Sequence, residues 1–167
     1  ISHSVDATHH VPPGYDAEVL IRWGDPVLAD APQFDPHKQT AAAQARQFGY
    51  NNDYLGYLPL PVDSENSRHG LLFVNHEFTH RPMMFPDALR AEKFPLLGAT
   101  GRRYVDIEMA AHGCSVIEIQ QTRGHWSVVR DSRWVRRITA SGTQMQLSGP
   151  AAGHPRLQTR ADPQGTR

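Results

Sequence analysis

Two short stretches of this chain carry residue types that handle ions. The first is Gly49-Tyr50-Asn51-Asn52-Asp53-Tyr54 and the second is Val74-Asn75-His76-Glu77. Asn, Asp and Glu offer hard oxygen donors, which suit a cation such as Ca²⁺ that gathers about six to eight oxygens. A metal beside a phosphoester polarises it and offsets charge that develops in the transition state. Glu77 follows the apolar run Leu71-Leu72-Phe73-Val74 almost directly. A carboxylate at the end of a buried strand has a desolvation cost unless it is paired or bound to metal. Glu77 is therefore the leading candidate ligand, with Asn75 and His76 beside it and Asn52 and Asp53 from the first stretch. The plainer reading of Asn51 to Asp53 is turn chemistry, since Asn and Asp tolerate left-handed backbone and close turns.

Other candidates carry less. Cys114 precedes an apolar β pattern and reads as a small buried hydrophobe. Arg102-Arg103 and Arg136-Arg137 have the chemistry to hold phosphate, but such pairs are ordinarily solvated. His3, His9 and His10 sit in a polar N-terminal approach and read as loop residues. Trp23, Trp126 and Trp134 each lie in a strand signal and read as core. The sequence has no phosphate-cradling glycine loop, no Ser-His-Asp signature and no zinc-type Cys/His spacing.

The elements that must position these residues are short. Val19 to Trp23 is rich in β-formers and closes at Gly24-Asp25-Pro26, which predicts a strand. Asp35-Pro36 predicts a helix start running through the Ala- and Gln-rich stretch to Gln47, weakly amphipathic and on the surface. Tyr54 to Leu60 is strand-like, and Gly70 to Val74 predicts a strand buried on both faces. A turn of helix is expected about Asp87 to Glu92, and a helix from Tyr104 to His112 ended by Gly113. Ser115 to Gln120 and His125 to Val129 flank Thr122-Arg123-Gly124, a hairpin signature, and Trp134 to Ile138 offers a further strand. From Ser148 to Arg167 apolar residues almost vanish, which predicts a loop-like tail.

Composition bounds the partners. Lys plus Arg number 17 and Asp plus Glu 17, so the formal net charge is zero. No whole-protein field attracts nucleic acid or anionic membrane, and an anionic substrate needs a local cation. No run of about 18 apolar residues exists, so no membrane-spanning helix is expected. The 13 Gly and 13 Pro favour many turns over a helix bundle. With one Cys the chain forms no internal disulfide, and its cysteine usage is silent on compartment.

The same stretches, taken in order, resemble the PhoX-type alkaline phosphatases. The resemblance runs through Val11 to Tyr15, Val19 to Pro26, Phe48 to Tyr54, Leu72 to Glu77 and Met84 to Pro86. It continues through Val105 to Gly113, Arg136 to Thr139 and Ser148 to His154. It implies a mainly β chain, part of a six-bladed β-propeller with short helices in long loops. It also implies export by the twin-arginine route, to the periplasm or outside the cell, and hydrolysis of small phosphomonoesters with calcium and iron. Glu77, with Asn75 or His76, is then expected near the metals. The family pattern continues with an Asn-Asn-Cys-Ala-Gly-Gly motif and acidic motifs that this sequence does not contain. Residues 1–167 are therefore expected to be the N-terminal portion of one propeller domain, lacking most of the metal site. The competing expectation is a propeller module that binds or scaffolds without chemistry.

Overall fold

The computed structural model describes residues 5–87, 98–139 and 141–165. Its centre is one antiparallel sheet of five strands: β1 (Leu55–Pro59), β2 (His69–His76), β3 (Gly113–Thr122), β4 (His125–Val128) and β5 (Arg136–Thr139). Among the described residues three α-helices accompany it: α1 (Ala41–Gln44), α2 (Arg81–Met84) and α3 (Gly98–Ala111).

β3 organises the sheet. Along one edge it pairs with all of β2, from His69↔Gln120 to His76↔Gly113. Along its other edge β4 takes one half, from Ile119↔Val128 to Thr122↔His125, and β5 takes the other, from Gly113↔Thr139 to Val116↔Arg136. The β3–β4 turn is Arg123-Gly124, with φ of 52° and 88°. Positive φ at both positions matches the right-handed strand twist, which is why a two-residue hairpin carries Gly here. The expected strands β1 to β5 are thus present, with bounds shifted by a few residues.

Alternation puts Leu72 and Val74 on the same face as Ile117 and Ile119. Val27 and Phe48 bury against that face, with Leu20, Ile21 and Leu28 packed around them. The run Val19 to Trp23 that supplies two of these is not a strand. Asp25 turns the chain by accepting the Arg22 N–H at 2.7 Å, and the Gly24 N–H is taken by the Phe48 carbonyl at 2.9 Å. The segment therefore covers the sheet with side chains and joins no ladder. On the opposite face Leu58 and Phe73 remain 46% and 37% exposed. β2 is thus buried on one face, because no described layer covers the other.

The helical expectation at residues 35–47 is also corrected. Asp35 caps only a local turn, accepting from the His37 N–H at 2.9 Å. The helix begins five residues later, where the Thr40 hydroxyl accepts from the Ala43 N–H at 3.1 Å, and it makes a single turn. Nor is it a surface element: Gln39, Gln44 and Gln47 are all buried. Two of these amides pair inside, Gln44 Oε1 accepting from Trp23 Nε1 at 2.9 Å and Gln47 Nε2 donating to the Pro32 carbonyl at 2.9 Å, while Gln39 donates through Nε2 and its Oε1 has no partner among the described residues. Such pairing is what lets polar side chains enter a core.

A second apolar cluster joins Tyr50, Met84, Phe85, Ile107 and Ala111, linking α2 and α3 to the Gly49–Tyr54 loop. Arg81 Nε donates to the Glu108 carboxylate at 3.0 Å across α2 and α3. Trp23 and Trp126 are half-buried against the two clusters, as expected of core residues. Trp134 is 38% exposed, with the Arg133 guanidinium 4.5 Å from its ring centroid, so it is a surface residue. Most of the helical turn expected at 87–92 lies outside the described residues. The tail folds on itself: a 3₁₀ turn at Pro155–Leu157 is capped by His154, and the Gly153 N–H donates to the Gly165 carbonyl at 3.1 Å.

Candidate functional site

The two stretches singled out by their chemistry lie side by side. Asn51 has φ of 54°, a left-handed conformation that Asn tolerates better than most residues. The resulting turn lets the Asn51 carbonyl accept the Glu77 N–H at 3.2 Å, while Asn51 Nδ2 donates to the Phe78 carbonyl at 2.7 Å. Asn75 clamps the next residues. Its Oδ1 accepts the N–H groups of Asp53 and Tyr54, each at 3.0 Å, and its Nδ2 donates to Asp53 Oδ1. The turn reading of Asn51 to Asp53 and the site reading are therefore compatible. The turn is real, and it places Asp53 against the end of β2.

His76 holds the junction from below. It is 2% exposed. Its Nε2 faces the Gly49 N–H at 3.4 Å and the Ser115 hydroxyl at 2.8 Å, and its Nδ1 faces Asn52 Oδ1 at 2.8 Å. A backbone N–H only donates, so Nε2 is the acceptor and Nδ1 carries the proton given to Asn52. Both ring nitrogens are thereby occupied by protein partners. Burial, with the nearby Arg137 cation adding to it, drops the His76 pKa to about 3, so the ring is neutral. Gly49 has to be glycine for this packing: a Cβ there would meet His76 Cγ at 2.5 Å and the Ala111 carbonyl at 2.6 Å.

Arg137 is the residue that sequence reasoning missed. It was grouped with Arg136 as a surface phosphate candidate, and only Arg136 is exposed. Arg137 is 9% exposed, and among the described residues no carboxylate pairs with it. Its guanidinium donates to the carbonyls of Ala110, Ala111 and His112 at the end of α3, and to those of Gln47, Cys114 and Ile138. The carbonyl end of a helix is the place where a cation is favoured. Burial lowers the Arg137 pKa to about 10, which leaves it charged at neutral pH. Its burial follows from the β5 register, which sets it opposite Ser115 on the covered side and has no local signal in the sequence. Cys114 is half-buried, and burial raises its thiol pKa, which suits an inert side chain.

Glu77 differs from all of these. It is exposed, and among the described residues no hydrogen bond or ion pair holds its carboxylate. Asp53, also exposed, presents a second carboxylate on the adjoining loop. These two match a hard cation in donor type. Among the described residues there is no group of three or more His, Cys, Asp and Glu that would close a metal site.

The family model described as alkaline phosphatase PhoX matches residues 1–167. The chain belongs to the PhoX alkaline phosphatase family. Among solved structures, it is similar to Pseudomonas fluorescens PhoX in complex with vanadate, a transition state analogue, with 37% sequence identity and a TM-score of 0.77. The match covers 94% of this chain and 25% of that one, so the chain spans about a quarter of the length of that PhoX. No match was found among curated proteins. Among the described residues no helix is long and apolar enough to cross a membrane.

Proposed function

We propose that this chain is the N-terminal portion of an exported PhoX phosphatase that hydrolyses small phosphomonoesters with calcium and iron. In this reading the five strands belong to a six-bladed propeller, and Glu77 and Asp53 contribute oxygens to its metal centre. The observation that carries it is the family match over residues 1–167, together with similarity to a PhoX in complex with vanadate, a transition state analogue. Geometry adds the Glu77 carboxylate, which has no partner among the described residues and whose residue's backbone N–H is fixed by the Asn51 carbonyl at 3.2 Å. Bound cations would supply charge to offset the phosphate oxygens. The chain's own residues divide the remaining work. Asn75 and His76 fix the loop from beneath, and Glu77 and Asp53 face the exterior with their carboxylates.

Replacing Glu77 by Gln in the full-length protein tests this. The change keeps the shape and removes the charge. Metal content and turnover of an aryl phosphate should both fall by about tenfold or more, within the range seen when metal-supporting groups are lost. Unchanged metal and unchanged turnover would remove Glu77 from the site. The isolated 1–167 chain, supplied with calcium and iron, should show no appreciable turnover.

A further inference from the structure

The hydrogen bonds beneath the loop fix more than its position; they fix which way the Asn52 amide faces. The argument starts at Gly49. Its backbone N–H lies 3.4 Å from His76 Nε2 and has no capacity to accept. Nε2 must then be the unprotonated nitrogen, and the Ser115 hydroxyl at 2.8 Å completes its surroundings as a second donor. The proton resides on Nδ1. The Asn52 atom 2.8 Å from Nδ1 must accept it, and that atom is Oδ1. The amide NH₂ is left on the far side of the carboxamide. Asn52 is exposed, and among the described residues no further hydrogen bond engages that NH₂.

This orientation separates Asn52 from its neighbours. Its side-chain oxygen is engaged by a buried histidine, so the part of the amide that faces away from that contact is the NH₂. It presents two N–H donors instead. Those donors sit one residue along from Asn51, whose carbonyl holds the Glu77 backbone, and one residue before Asp53. We infer that Asn52 is an oxyanion-binding residue: its NH₂ donates to a phosphate oxygen of the substrate, and His76 is the positioning residue that sets its orientation. The inference rests on the phosphatase reading above. It concerns the ground-state grip on the phosphoryl group, so it reads out in affinity for phosphate and not in metal loading.

The test uses the metal-loaded full-length protein and two variants, Asn52→Ala and Asn52→Asp, with inorganic phosphate as the probe. Calorimetry gives phosphate affinity, aryl phosphate kinetics give KM and kcat, and elemental analysis gives metal content. Both variants should bind phosphate about tenfold more weakly and raise KM in step, with metal content unchanged, as expected for one lost hydrogen bond to a charged group. Phosphate affinity in Asn52→Ala equal to the parent's would overturn the inference, even if Asn52→Asp binds weakly, since added negative charge alone would explain that. Loss of metal from Asn52→Ala would overturn it too, by making Asn52 a ligand. A parent that neither hydrolyses aryl phosphate nor binds phosphate would defeat the phosphatase reading itself. An active parent with an unaffected Asn52→Ala would defeat only this inference.

Discussion

β2 carries a histidine at each end, and the two ends are built on opposite terms. At the start of the strand His69 is partly exposed and its Nε2 meets Glu118 at 2.7 Å. Glu118 also accepts from the Ser132 hydroxyl, and these contacts hold its carboxyl below the usual range, the Ser132 bond first. That end is closed: acid, base and hydroxyl satisfy one another. The far end inverts the arrangement. His76 is buried among neutral partners, and the acids beside it, Glu77 and Asp53, point to the exterior. A Ser, a His and a Glu lie together at the first end, yet the Ser donates to the Glu and not to the His, so no nucleophile is activated there. The difference teaches that residue types alone do not mark a site. The same acid and histidine types satisfy one another at the first end, and at the far end they do not.

The largest effect expected at the far end comes from Arg137. Replacing it with Ala leaves the last carbonyls of α3 and those of Gln47, Cys114 and Ile138 without their donor. The full-length protein should lose about 3–5 kcal/mol, measured as a shift in urea midpoint. A loss below about 1 kcal/mol would show that water replaces the guanidinium and that the far end is less rigid than described.

Acid separates the two ends further. His76 has a folded pKa of about 3 against an ordinary value of 6.5, so the unfolded chain binds the proton more readily. Its contribution is fully present above about pH 6.5 and is lost as pH falls from there toward 3. Glu118 has a lowered folded pKa against an ordinary 4.5, so its contribution is present above 4.5 and lost only as pH falls below that. Between about pH 6.5 and 4.5 the His76 contribution is already falling while that of Glu118 is still in place. His76→Gln should therefore flatten the stability profile across that interval, and Glu118→Gln should flatten it only below 4.5. Urea midpoints across that range check this. Equal profiles for parent and His76→Gln would break the contrast.

Much of this was legible from sequence, and the reasons differ by element. The hairpin at Arg123-Gly124 was readable because its turn chemistry is local. Strands β1, β2 and β3 were readable because their apolar runs are. Val19 to Trp23 looked like a strand because β-propensity reports a fit to a half-buried surface. It has such a surface, but as cover for the sheet and not as a member. The position of Glu77 against Asn51 to Asp53 was suggested by residue type, and the backbone bonds between them confirm the juxtaposition. What sequence did not reveal was the direction of the polar groups. Arg137 is buried because β5 pairs with the first half of β3, a register no local pattern encodes. The tautomer of His76 depends on Gly49, 27 residues away.

The smallest stability effect is expected for Glu77→Gln, and the size is what sharpens the contrast. At the closed end, Glu118→Gln removes a carboxylate that accepts from Ser132 and pairs with His69 at 13% side-chain exposure, so about 1–2 kcal/mol should go. At the open end the Glu77 carboxylate has no protein partner among the described residues, and its backbone bond to Asn51 survives the substitution. With metal removed by a chelator, parent and Glu77→Gln should unfold within about 0.5 kcal/mol of each other. With metal present the two should part, because a ligand that binds the folded state stabilises it in proportion to its affinity. The quantity to measure is the difference between the metal-loaded and chelated urea midpoints, parent against variant. If the variant is less stable by more than about 1 kcal/mol even in chelator, the carboxylate is structural, and the two ends of β2 are then alike in kind.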